Sequence, residues 1–88
     1  MEEGKFPQKT KELGWQRVGE GYILADKETQ KSVALDPISF LVWIQCDGKT
    51  SMNVIADVFA VEGNVDIVRA AIKGVLEKLE GSGLIKWI

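Results

Sequence analysis

The chain has 88 residues, with 11 basic and 13 acidic side chains, a net charge of −2 and no histidine. That length supports one hydrophobic core and excludes a second. The missing histidine excludes His-ligated metal sites and His-dependent catalytic triads.

Residues 1–13 are polar and of mixed charge, with Gly4 and Pro7 among them. They read as a flexible N-terminal arm, followed by one domain over 14–88. No apolar core region of a signal peptide stands at the start. The longest strongly apolar stretch, 38–44, falls well short of the roughly 20 residues of a membrane span. No membrane association is therefore expected. The lone cysteine, Cys46, has no internal disulfide partner, which points to a reduced, cytoplasmic protein.

Three strands are predicted first, over 15–18, 22–26 and 31–35. Gly19-Glu20-Gly21 supplies the first turn, because glycine tolerates positive φ. The polar segment Lys27-Glu28-Thr29-Gln30 supplies the second. In the third strand Val33 and Leu35 share one face, and Ser32 and Ala34 the other, an alternation that suits a half-buried antiparallel sheet.

The period then becomes helical. Asp36-Pro37 predicts a helix start, Asp as N-cap and Pro at the first helical position. Ile38, Leu41, Val42 and Ile44 recur at helical spacing, with Phe40 and Trp43 on the flanks. Asp47-Gly48 is expected to end this helix. Thr50 or Ser51 caps a shorter helix carrying Met52, Ile55, Ala56 and Phe59. A third helix is expected over 65–80, stopped by Gly81-Ser82-Gly83, with a closing strand over 84–88. The order gives an α+β domain of winged-helix-like form, a three-stranded antiparallel sheet followed by three helices.

The chemistry available points away from catalysis. Asp36 reads as a helix cap rather than an acid catalyst. Lys73, Glu77, Lys78 and Glu80 read as a solvated helix face. Cys46 has no histidine to activate it and reads as a small buried hydrophobe. The glycines form no phosphate loop. No enzyme activity, metal or cofactor is expected.

A winged helix would read DNA with its third helix. There Asp66, Glu77 and Glu80 balance Arg69, Lys73 and Lys78, so phosphate attraction, which supplies most nonspecific affinity, is lacking. A winged-helix DNA-binding protein is the alternative reading, and no nucleic-acid partner is expected. On the third helix Val68, Ala71, Ile72, Val75 and Leu79 form the core stripe. Beside it Ile67, Ala70, Ala71 and Gly74, with Lys78 nearby, form a second flank of mostly small residues. That flank either packs against another element of the fold or forms a shallow groove for a foreign backbone. The third strand is an open-edge candidate that can accept an added strand, with Lys31 as a guard against unwanted pairing. Exposed edges also allow a homodimer.

The ordered set Glu20-Gly21-Tyr22-Ile23-Leu24-Ala25-Asp26, Val33-Ala34-Leu35-Asp36, residues 40–43 and Cys46-Asp47-Gly48-Lys49-Thr50 resembles the PqqD-like proteins of pyrroloquinoline quinone (PQQ) biosynthesis and related pathways. Val54-Ile55-Ala56, Leu76-Glu77-Lys78-Leu79 and Gly83-Leu84-Ile85 fit the same pattern, so the resemblance spans about residues 15–88. The family often has a hairpin Gly where this chain has Thr29-Gln30, and an Asn where it has Asp36.

The resemblance implies a non-catalytic adaptor, a recognition element or peptide chaperone for ribosomally made, post-translationally modified peptides. Such a domain binds the leader of a precursor peptide and presents it to a modifying enzyme, often a radical S-adenosylmethionine (SAM) enzyme. It further implies that the leader adds beside Lys31, Ser32, Val33 and Ala34. On the third helix the leader would meet Ile67, Ala70, Ala71 and Gly74, with Lys78 as a charge partner. If the helix is rotated the other way, Arg69 and Lys73 line the groove.

Overall fold

A computed structural model describes residues 6–88. Its elements are β1 (Pro7–Lys9), β2 (Gly14–Val18), β3 (Gly21–Asp26), β4 (Lys31–Leu35), α1 (Pro37–Ile44), α2 (Met52–Asp57), α3 (Val65–Gly81) and β5 (Ile85–Trp87). The fold is α+β, with β2-β3-β4 forming an antiparallel sheet followed by the helices.

The N-terminal segment departs from the expected arm. Residues 7–9 form a strand antiparallel to β5, with Pro7 opposite Trp87 and Lys9 opposite Ile85. The ladder continues outward through reciprocal bonds between Phe6 and Ile88, each 2.9 Å. On the other side of β1, Lys9 N donates to Cys46 O and Gly48 N to Pro7 O. Both sides of this short strand are thus paired, which satisfies a backbone that would otherwise be costly to bury. Residues 1–5 of the expected arm lie outside the described residues.

Local signals set the helix starts. Asp36 Oδ2 accepts from Ser39 N at 3.4 Å, and Pro37 takes the first helical position. At the second helix Ser51 is the cap, its Oγ accepting from Val54 N at 3.3 Å. Thr50 instead donates to Asp47 Oδ2. The first helix stops at Ile44, before the expected Asp47-Gly48, and Gly48 follows in the left-handed region at φ 76°. Lys9 Nζ donates to Ile44 O at 3.2 Å and so caps that end from a distant strand.

The core lies between the sheet and the helices. Leu24 supplies it from β3, and Phe40, Val42 and Trp43 from α1. Ile55 and Ala56 come from α2, Ile72, Leu76 and Leu79 from α3, and Ile85 from β5. The facing of α1 reverses part of the expectation: Phe40 and Trp43 are buried, while Ile38, Leu41 and Ile44 are exposed. This helix is apolar on every side, so periodicity alone does not select its inner face. The burial of large rings, with 150–250 Å² each, decides it. The core stripe of α3 includes Leu76, and Ala71 is exposed. Phe59 lies beyond α2 but still packs against the core.

Candidate functional site

Hairpin geometry determines which backbone groups of the sheet are free. The β2–β3 hairpin closes on the pair Val18–Gly21 around Gly19-Glu20, with Gly19 at φ 60°. A two-residue loop makes its closing pair a hydrogen-bonded one, and such pairs then alternate. Residues 21, 23 and 25 therefore turn to β2, and Tyr22, Leu24 and Asp26 turn to β4. Their partners on β4 are Leu35, Val33 and Lys31. The β3–β4 turn agrees: Asp26 O faces inward and accepts from Gln30 N at 2.8 Å. Ser32 and Ala34 are left with N–H and C=O directed at the outer side of β4. Among the described residues no strand pairs there.

Two features hold this edge in place. The Asp26 carboxylate receives Lys11 Nζ at 2.7 Å and the backbone N–H groups of Glu28 and Thr29. The Lys11 contact, then the two backbone bonds, lowers the carboxyl below its ordinary range despite some desolvation. At the other end of the strand pair, a Cβ on Gly21 would lie 2.9 Å from Leu35 O. The missing side chain lets β3 and β4 approach as β4 runs into α1.

The sequence-predicted strand residues all lie on β4. Lys31, Ser32 and Ala34 are exposed, and Val33 is half-buried against the core. The predicted helix residues Ile67, Ala70, Ala71, Gly74 and Lys78 are all exposed on α3. Ile67 is 73% exposed, and a Cβ on Gly74 would meet nothing within 4 Å. No element of the described fold therefore packs at Gly74.

At 100° per residue, Ile67, Ala71, Gly74 and Lys78 fall within about 60° of one another. Arg69 lies on the far side of the helix, where its Nη2 meets Asp57 Oδ1 of α2 at 3.4 Å. Arg69 is thus engaged by α2, and the Ile67–Gly74 flank is the one away from α2. Lys73 is exposed on the other side. The first helix, α1, contacts both β4 and α3.

The exposed face of α1, with Ile38, Leu41 and Ile44, was not among the predicted site residues. Its signal in the sequence is the absence of any charged residue between Pro37 and Ile44, since a surface helix ordinarily carries a polar face.

Cys46 is fully buried, its Sγ 3.2 Å from Val42 O, and burial pushes the thiol up to about 12. Asp36 and Asp47 are held below their ordinary range, Asp36 by the Ser39 hydroxyl first and Asp47 by the Lys49 backbone N–H first. Both carboxylates serve local caps and turns. Among the described residues there is no cluster suited to a metal ion and no helix long and apolar enough to cross a membrane.

No curated protein sequence matches this chain. Among solved structures, it is similar to TbiB1 in complex with the TbiA(beta) leader peptide. The TM-score is 0.69 at 14% identity, covering 90% of this chain and 94% of that one. The likeness extends the α+β fold over nearly the whole length of both. The family model for coenzyme PQQ synthesis protein D (PqqD) matches residues 21–85, from the first residue of β3 into β5. The chain belongs to the PqqD family.

Proposed function

We propose that this domain is a non-catalytic adaptor that binds the leader segment of a precursor peptide as a fourth strand on β4. The observation that carries this is the β4 edge, where Ser32 and Ala34 present free backbone donors and acceptors. Strand addition takes its affinity from such main-chain bonds and its selectivity from neighbouring pockets. The solved relative, TbiB1, is itself in complex with a leader peptide, and family membership supports the same role. Side-chain selection would come from the Ile67–Ala71–Gly74 flank of α3, with Lys31 and Lys78 drawing acidic leader residues. The modifying enzyme that receives the peptide is, in this reading, a radical SAM or other peptide-modifying enzyme. Binding would need neither metal nor nucleotide, and the cytoplasm is the proposed setting.

The test is titration of a synthetic leader, encoded beside this gene, into the labelled domain, followed by amide shifts. Binding at micromolar affinity or better, with shifts centred on β4 and α3, is expected. Shifts confined to other elements would overturn the reading. Duplex DNA should show only attraction that vanishes between low and moderate salt. A salt-resistant nanomolar duplex complex would favour the winged-helix DNA-binding alternative.

A further inference from the structure

We propose that two copies of this chain pair antiparallel along β2, forming a continuous sheet in which Trp15 of each copy lies opposite Arg17 of the other. The inference does not rest on the peptide-binding role, because it uses the opposite edge of the sheet. β2 pairs only with β3 among the described residues, and all five of its residues are exposed. The hairpin phase that turns Val18, Gln16 and Gly14 toward β3 leaves Trp15 and Arg17 with their backbone groups facing outward. These two residues lie symmetrically about Gln16, the middle of the strand. A two-fold axis through Gln16 is therefore the register that uses all of β2 and makes both outward residues hydrogen-bonded partners.

Side-chain chemistry selects the same register and the same occupant. Two-fold axes one residue to either side would set Arg17 against Arg17 or Trp15 against Trp15, and each would leave two of the five residues of β2 without a β2 partner. Like charges directly opposite are destabilising. With the axis at Gln16, the Arg17 guanidinium faces an indole that is 51% exposed despite its edge contacts with Phe40 and Tyr22. That pairing gives a cation–π contact on each side of the axis. On the other face of the sheet, Val18, 54% exposed, falls opposite Gly14, which has no side chain to obstruct it. β2 carries no lysine or proline guard within it, whereas β4 carries Lys31. Pairing β2 with β4 of another copy would make an open filament and bring Arg17 and Lys31 onto one shared edge. Self-pairing of β2 closes the assembly at two copies and leaves both β4 edges free.

Sedimentation equilibrium over a concentration series tests this, together with two substitutions on the outer face of the sheet. The mass should rise from 9.7 kDa toward twice that value. Gln16→Lys places like charges opposite each other at the axis and should hold the mass at 9.7 kDa over the same series. Gln16→Cys should form a disulfide-linked dimer under oxidised glutathione, because the non-hydrogen-bonded pair at the axis brings the two Cα atoms to about 4.5 Å. Gly14→Cys, which faces Val18 of the other copy, should not. Because crosslinking is read independently of mass, it decides the matter even if Gln16→Lys folds poorly. A mass of 9.7 kDa up to about 1 mM would overturn the proposal. So would a mass climbing past the dimer, equal crosslinking at positions 14 and 16, or a leader peptide whose shifts map to β2.

Discussion

The ring of Tyr22 on β3 lies 3.8 Å from that of Phe40 on α1, with the two planes 8° apart. Trp15 of β2 meets both edge-on, at 5.8 Å and 4.8 Å between centroids. These three rings join the sheet to the first helix. Their importance follows from what β4 lacks: among the described residues it is hydrogen-bonded to β3 alone, so its position relative to α3 depends on how the β3–β4 pair is seated on α1. The stack thus sets the separation between the free strand edge and the exposed flank of α3.

Replacing Phe40 with alanine should cost about 3–5 kcal/mol, the usual range for a buried aromatic. Native domains have about 5–15 kcal/mol in total, and one of this size sits low in that range. Chemical denaturation should show a large loss of midpoint. Trp15→Ala, at a half-exposed ring on an edge strand, should cost clearly less. Equal losses would mean the stack does not seat the sheet.

Proline substitutions on β4 should separate folding from binding. Ala34 directs its N–H outward, so Ala34→Pro removes a donor that the domain itself does not use. The fold should survive, and peptide affinity should fall roughly tenfold or more, the value of a lost hydrogen bond together with the clash of the ring. Val33 directs its N–H at Leu24, and Val33→Pro should instead destabilise the domain by about 2 kcal/mol or more. Melting curves and peptide titrations on the pair check both halves. A folded Ala34→Pro variant with normal affinity would remove the strand-addition model.

Much of this was legible in the sequence, for physical reasons that can be named. The three sheet strands follow from turn chemistry between alternating segments, and the helix starts follow from Asp36-Pro37 and Ser51. Gly74 was legible as a mid-helix glycine with small neighbours, but only the empty space around it decides between internal packing and an open flank. The strand at 7–9 carried no such signal: three residues, PQK, begin with proline, and their partner Ile85–Trp87 lies at the far end of the chain. The outward phase of Ala34 was also hidden, because it depends on how Gly19-Glu20 closes the neighbouring hairpin. The inner face of α1 was ambiguous because all its faces are apolar.

Stability should fall on acidification through three aspartates. Asp26, Asp36 and Asp47 all sit below their ordinary value of 3.8 in the folded chain. Their stabilisation is therefore fully present above that value and is lost as pH falls through the lowered folded values. The combined variant Asp26→Asn, Asp36→Asn, Asp47→Asn should lose less between pH 7 and pH 3 than the parent does. Asn caps a helix as well as Asp, so position 36 isolates the charge from the cap. Urea midpoints at the two pH values give the comparison, and an unchanged difference would assign acid sensitivity elsewhere.

Cys46 should be inert in the folded state. With the thiol pushed up to about 12 and no exposed surface, neither thiolate population nor access favours reaction. A thiol reagent at pH 8 should label it at the rate of global unfolding, in parallel with the loss of tryptophan signal in denaturant. Rapid labelling in buffer would show that the contact between β1 and the segment after α1, where Lys9 N bonds to Cys46 O at 3.0 Å, opens locally.

Gly74→Leu gives the sharpest division between stability and function. Glycine inside a helix costs roughly 0.5–1 kcal/mol relative to alanine, and the space around position 74 is open. Leucine should therefore hold the melting temperature or raise stability by up to about 1 kcal/mol. Overpacking, which would cost about 1–3 kcal/mol in a filled core, has no neighbours here to act on. The same side chain would project from the flank of α3 that also carries Ile67 and Ala71, into the space a leader backbone would occupy. Peptide affinity should drop sharply while the fold is kept. Unchanged affinity in a stable variant would move the peptide off this flank, and the exposed face of α1 at Ile38 and Leu41 would be the next surface to substitute.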